Sequence, residues 1–580
     1  MRAFHDDLNK VTLEDWNQKD VIRFNNEICE VVDGVIELHG LELGVYQNLD
    51  SELKGRVVIE QRFIVKTDFF DSNYTDSDRK LGAYFEAGDT HFVLWSPTSV
   101  SVKLKLEGES IEMTRDSKGF YSHVLKGEHL GLVYSYLVNI NGHVVETCDP
   151  YAKGTLPNRG ASVVADMTFD KVDFNLVSDS ILELHVRDFT MDPTVDFKQR
   201  GKLVGLLESH GNYGMKHILD LGMGMIQIQP LTDFETVDEL NPFDAYNWGY
   251  DPMQFFALEG SYSSNISDPL QVLRDFSHVM NEYHNHGIGV SMDVVYNHIY
   301  EVEGSSLDAC VPYYYFRYVD GKLSDGTFCG NEIASEFTMV RKFIVDSCVY
   351  FVEAFDIDGY RFDLMGITDI DTMNEIRRRL VEIKPNIVLY GEGWNMASGI
   401  EESIRATMQN HRELPGYRFF NDSFRDSIGG KLDGSRSGIY GSEPSALIDM
   451  YLNGSSEVFD SPDQSINYVE CHDNYTIADK LALQGLGVEA ARVYLEATIL
   501  SKGTCFLQIG QSFFRNKLGV ENSYKSSDEV NHVRWKQLDE YKELNELVKR
   551  LLVERRSLQD CIISWDGDKI VANAYKRLAL

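Results

Sequence analysis

The stretch DIDGYRFDLMG, Asp356 to Gly366, decides how the rest of the chain reads. A short apolar and aromatic run ends in Arg361 and Asp363. A strand here buries Ile357, Tyr360 and Phe362 and releases a cation and a carboxylate at its carboxyl end. Two readings stand at this point, a salt-bridged core strand and an active-site strand of a barrel enzyme. The neighbouring segments separate them.

From about Leu176 strands alternate with helices. The strand candidates are ILELHVRDFT (181–190), GMIQIQPL (224–231), GIGVSMDVVYNH (287–298), IDGYRFD, NIVLYGEG, YRFFND, INYVECHD and TCFLQIGQ. Between them DPLQVLRDFSHVMNEYHNHG, FTMVRKFIVDSCVYFVEAF, IDTMNEIRRRLVEI and VEAARVYLEATIL carry apolar residues at helical spacing. Eight strands, most followed by a helix, predict an α/β fold built on a (β/α)8 TIM barrel. A non-helical insert at 299–333 follows the third strand, where loops wall a barrel's active site. Upstream, LGAYFEAGDTHFVLWSPTSVSVKLKL and VYSYLVNINGHVVE alternate apolar and polar residues with turn signals, which predicts a β-sandwich. Trp95 and Tyr134 within it read as core residues before carbohydrate platforms. The domains expected are a β-rich lead-in at 1–70, the sandwich at 71–170, the barrel at 171–557 and a short β region at 558–580.

With 580 residues, the chain is long enough for a large barrel plus smaller modules. Its 91 Asp and Glu against 55 Lys and Arg give a formal charge of -36, which repels nucleic acid and anionic membranes and suits a neutral or cationic substrate. Eight scattered cysteines, with no C-x-x-C, read as free thiols of a reducing compartment. The amino terminus lacks a signal-peptide pattern, and no run approaches the ~18 apolar residues of a membrane span. A cytoplasmic enzyme is expected.

Four strand candidates end in functional groups: Asn297 and His298, Arg361 and Asp363, Glu392, and His472 with Asp473. In a parallel barrel these ends converge on one face. Carboxylates crowded together cannot all ionise at their usual pKa, so one stays anionic and another holds a proton. Arg361, two residues before Asp363 on the same face, marks Asp363 as the anion. Glu392, next to Trp394, is the proton carrier. Such a set suits acid/base work at a C–O bond.

DVVYNH (293–298), GYRFDLMG (359–366), YGEGW (390–394) and YVECHDN (468–474) resemble, in order, the four signature regions of the α-amylase superfamily of glycoside hydrolases. YNWGYDP, Tyr246 to Pro252, is similar to the segment that marks type I pullulanases, and the sandwich resembles the glycogen-branch-binding module that precedes such barrels. The resemblance implies retaining hydrolysis of α-1,6 branches in pullulan, glycogen or limit dextrins. It assigns Asp363 as nucleophile, Glu392 as acid and Asp473 as the group that supports the distorted sugar. It further implies substrate contacts at Tyr250, His298, Arg361, Trp394, His472 and Asn474. Related specificities on the same scaffold are an isoamylase, a branching transferase and an α-1,4-glucan hydrolase, and a different class is a silent glucan-binding protein. YNWGYDP and the retained carboxylates argue against them.

No cofactor is expected, while Asn297 and the acidic insert leave room for a structural calcium. Thr368 stands where the family commonly has histidine and Cys471 where it often has serine. Residues after Ser557 suffice for one hairpin, so a barrel flank is expected to be exposed, either as a dimer surface or as a stability liability. Met365 and Gly366 are expected to shape the cleft.

Overall fold

In the computed structural model, which describes residues 1–176, 179–558 and 561–574, GYRF is one stave of a closed eight-stranded parallel barrel. Its strands are β1 (Ser180–Leu184), β2 (Met225–Ile228), β3 (Gly289–Val294), β4 (Gly359–Phe362), β5 (Val388–Gly391), β6 (Tyr417–Phe420), β7 (Ser465–Asn467) and β8 (Thr504–Gln508). Pairing of β1 with β8, Ser180 opposite Cys505, closes the ring. Strands covered on both faces need continuous rather than alternating burial. β2, β3 and β4 are buried at every position.

The strands are shorter than their apolar runs. ILELHVRDFT divides into β1 and a helix, Val186–Thr190, whose first turn is capped by His185 accepting from the Asp188 amide. β7 stops at Asn467, so His472 and Asp473 lie in the loop beyond it. The helix Gln271–Asn285 buries Val272, Phe276, Val279 and Tyr283, and Thr338–Phe355 ends at Asp356, whose φ of 62° turns the chain into β4. Asp369 caps Ile370–Ile383 by accepting from the Thr372 amide.

Residues 2–61 form an eight-stranded sheet with its own small core around Val11, Ile36 and Leu49. The next module pairs a four-stranded with a six-stranded sheet between Gly82 and Val163. Trp95 and Tyr134 are in its core. Trp95 donates its indole N–H to Tyr74 O, and Tyr134 donates its hydroxyl to Asp149, so neither ring face is available for stacking on a sugar. The insert at 299–333 wedges between this module and the barrel. Tyr314 packs 4.8 Å from Trp95, and Lys66 donates to the carbonyls of Tyr314 and Phe316.

The hairpin Cys561–Trp565 and Ile570–Ala574 docks on the helix Ser445–Leu452, with the Trp565 amide donating to Asp449. That part of the barrel flank is covered by the chain itself. Among the described residues no helix is long and apolar enough to cross a membrane.

Candidate active site

At the carboxyl ends of the strands a cleft of about 930 Å³ opens, lined by Asp363, Glu392, Asp473, Tyr250, His298, Trp394 and His472 among others. Beneath it lies Arg361, its side chain only 2 % exposed. Nη1 donates to Asp363 Oδ1 at 2.7 Å and to Asp293 Oδ1 at 2.9 Å, and Nη2 meets Glu392 Oε1 at 2.7 Å. One guanidinium therefore binds three carboxylates. It holds these groups from below instead of facing the cleft, which corrects the expectation that Arg361 contacts substrate. A second link runs from the Leu364 amide to Glu392 Oε2 at 3.1 Å. Leu364 sits at φ 40°, a strained turn that brings this amide back over the acid.

Burial drives the Glu392 carboxyl up to about 7; Arg361 opposes the shift, and Asp363 and Asp473 add to it. Glu392 thus holds its proton into the neutral range, and Asp363 accepts from Arg361 and from Asn297 Nδ2 at 2.8 Å. A carboxyl that serves as general acid works in its protonated form, which is present below its pKa and lost above it, and the proposal below gives Glu392 that role. The kcat/KM profile is expected to fall about tenfold per pH unit above about 7. Initial rates on branched glucan between pH 5 and 9 check this, and a profile flat to pH 9 would contradict it.

Two buried carboxylates that the strand-end reading passed over support this floor. Asp293, fully buried, accepts from Arg361, from the Tyr250 hydroxyl at 2.7 Å and from Gln227 at 3.3 Å, and burial pushes it up to about 7. Glu183, on β1, accepts from His472 Nδ1 at 2.7 Å. Burial works against a charged His472, but Asp473 and Glu183 outweigh it and raise the imidazole to about 9. The ring also stacks on Tyr250, centroids 4.9 Å apart, and meets Trp248 edge-on at 4.9 Å. Lys517 fixes the backbone there by donating to His472 O.

His298 lines the cleft, its ring nitrogens lying near Asn297 Oδ1 and Tyr250 O. Other expectations are corrected. Asn474 lies outside the cleft lining; its φ of 62° carries the chain away to border a small neighbouring cavity with Arg425 and Lys480. Met365 and Gly366 are buried behind the cleft. The Gly366 amide donates to Glu392 O, and a Cβ on Gly366 would fall 2.0 Å from Trp394 O. The pair shapes the backbone of the acid loop, not the cleft wall.

Asn297 is committed to Asp363 and His298, which removes it as a calcium ligand. Among the described residues, those that could hold a metal are Asp233, Glu239 and Glu259, buried with ligand oxygens within 4.8 Å of one another. Burial, reinforced by mutual repulsion, raises Asp233 and Glu259.

Residues 80–152 match the model of carbohydrate-binding module 48, the isoamylase N-terminal domain. The chain is 35% identical to a pullulanase of Bacillus subtilis (strain 168), over 96% of this chain and 84% of that protein. The chain belongs to the pullulanase family. Among solved pullulanases, that of Anoxybacillus sp. LM18-11 complexed with maltotriose superposes with a TM-score of 0.90 at 34% identity, covering 96% of this chain and 87% of that one. The type I pullulanase of Bacillus subtilis str. 168 complexed with maltose gives 0.88 at 33% identity, covering 96% and 85%. With the pullulanase barrel, the branch-module sandwich and the carboxylate cleft in one chain, the protein is an α-1,6-glucan debranching glycoside hydrolase.

Proposed function

We propose that the cleft cleaves α-1,6 branch links of pullulan, glycogen or limit dextrins with retention, through two displacements. Asp363 attacks the anomeric carbon as Glu392 gives its proton to the leaving oxygen, forming a glycosyl-enzyme. Glu392, now a base, takes a proton from water, which attacks the same carbon and frees Asp363. Asp473, 44 % exposed at the cleft wall, supports the positive charge that develops on the ring. His472, held charged by Glu183 at Nδ1, has Nε2 3.4 Å from Asp473 with its N–H left for a sugar hydroxyl, while Tyr250 and Trp394 pack on sugar rings.

The observation that carries this reading is the shared guanidinium. Arg361 and the Leu364 amide tie Asp363 and Glu392 together by short links, which supports the carboxyl separation of about 5 to 5.5 Å that retention requires. The relatives solved with maltose and maltotriose support a glucan ligand. Hydrolysis by carboxyl groups and water calls for no cofactor, and the residues that would hold a structural calcium are Asp233, Glu239 and Glu259. Eight free cysteines support a reducing, cytoplasmic setting. Incubation with pullulan and with linear amylose tests the specificity. Maltotriose released from pullulan is the expected product, and cleavage of amylose alone would overturn the α-1,6 assignment.

A further inference from the structure

The opposite end of the barrel, at the amino ends of β5 and β6, holds a separate cavity of about 490 Å³. Arg377, from the helix Ile370–Ile383, and Arg418, from β6, both line it, and no Asp or Glu does, in a chain that carries 91 of them. Arg418 is paired in register with Tyr390 of β5, whose hydroxyl donates into the barrel interior at Gln227 and Ser291. It donates to Thr504 Oγ1 at 2.8 Å and forms no ion pair among the described residues. Burial lowers its pKa, and Asp463 and Asp179 act on it from beyond ion-pair distance. Asp179 is itself bound to Arg555.

Arg377 lies across Gly416, where a Cβ would fall 2.3 Å from Nε. Gly416, at φ +83°, leaves that space clear. Among the described residues Arg377 has neither an ion pair nor a hydrogen bond. Its neighbour Arg378 has two carboxylate partners, Glu375 and Glu382. Two part-buried guanidiniums thus line one cavity without an ion-pair partner among the described residues, and their charge is open to an anion that enters it. A tetrahedral oxyanion suits them, since the planar fork of arginine matches phosphate oxygens two at a time. The remaining wall includes Leu176, Val381 and Ile387, and the volume falls in the range of small-molecule sites, roughly 300 to 1,000 Å³.

We propose that this cavity binds a small organic phosphate, with Arg377 and Arg418 on the phosphoryl group and the apolar wall against the organic body. Binding here is separate from the cleft at the other end of the barrel.

The test is thermal unfolding of the full chain in inorganic phosphate, in phenyl phosphate and in potassium chloride at matched ionic strength. A saturable rise in Tm is expected with both phosphates and at lower concentration with phenyl phosphate, whose ring meets the apolar wall. Arg377→Gln, on a partly exposed helix face, is expected to raise the concentration for half-effect about tenfold while pullulan hydrolysis stays at the wild-type rate, and Arg418→Met is expected to abolish the effect. No rise beyond chloride, or an equal rise in wild type and Arg377→Gln, overturns the site. Equal potency of the two phosphates overturns the organic body and assigns the cavity to free phosphate.

Discussion

Replacing Asp363 with asparagine is expected to lower pullulan hydrolysis by on the order of 10⁴-fold or more with the fold intact. The amide keeps the size of the carboxylate and keeps an oxygen for Arg361 Nη1, now 2.7 Å from Asp363 Oδ1. It removes the anion that would form the bond to the anomeric carbon, and the site offers no easy substitute. Burial keeps Glu392 protonated into the neutral range, and Asp293 lies fully buried beneath the guanidinium. Reducing-end release from pullulan, measured beside a melting curve of each protein, decides the matter. A variant that melts like the wild type and keeps activity within about tenfold would exclude Asp363 as nucleophile.

Arg361→Met is expected to have the largest effect on stability, a loss of about 3 to 5 kcal/mol, together with loss of activity. The guanidinium is 2 % exposed and its two terminal nitrogens bind Asp293, Asp363 and Glu392. Without it three carboxyl groups share a floor that no guanidinium bonds. Protonation is their remaining relief, so the deficit should grow with pH. The sign follows from the raised pKa of Glu392: its contribution to folding is full below the unfolded value of about 4.5 and is lost as pH rises through about 7. Removing the cation moves the folded value higher still. Arg361→Lys keeps a charge but not the fork, so it should recover part of the stability and little of the rate. Urea unfolding at pH 5.5 and 7.5 measures both variants. Equal stability of Arg361→Met and wild type at both values would show that the network contributes nothing to folding.

Residues at strand ends were legible because a charge that terminates an apolar run has few uses other than surface or site. Asp363 and Glu392 each sit one residue beyond a strand, at Phe362 and Gly391, and such positions stand out. Asp293 and Glu183 do not. Each lies inside its strand, Gly289–Val294 or Ser180–Leu184, and shows only as the one charged letter of a mostly apolar segment. Their function comes from barrel closure, which turns them inward under Arg361 and His472, and no local pattern encodes that partner. The Glu183 carboxylate could have been suspected from its burial cost alone, since an acid within ILEL needs a cation somewhere. The fate of Asn474, Met365 and Gly366 was illegible for another reason. One left-handed residue redirects a loop, and Leu364 and Asn474 both adopt that conformation without being glycine. The barrel itself followed from alternation alone, and the errors of boundary fell where strands hand over to loops, as at His185.

The bond between Glu183 and His472 joins residues 289 positions apart in sequence. During synthesis the first group leaves the ribosome long before its partner exists, so a nascent chain carries a charged, half-built barrel edge and no working cleft until the segment after β7 has emerged. Closing so long a loop is entropically slow but only weakly dependent on its exact length. Catalytic competence is therefore a late event in the life of the polypeptide. A product cut short before Cys471 would contain Asp363 and Glu392 yet leave Glu183 without its imidazole.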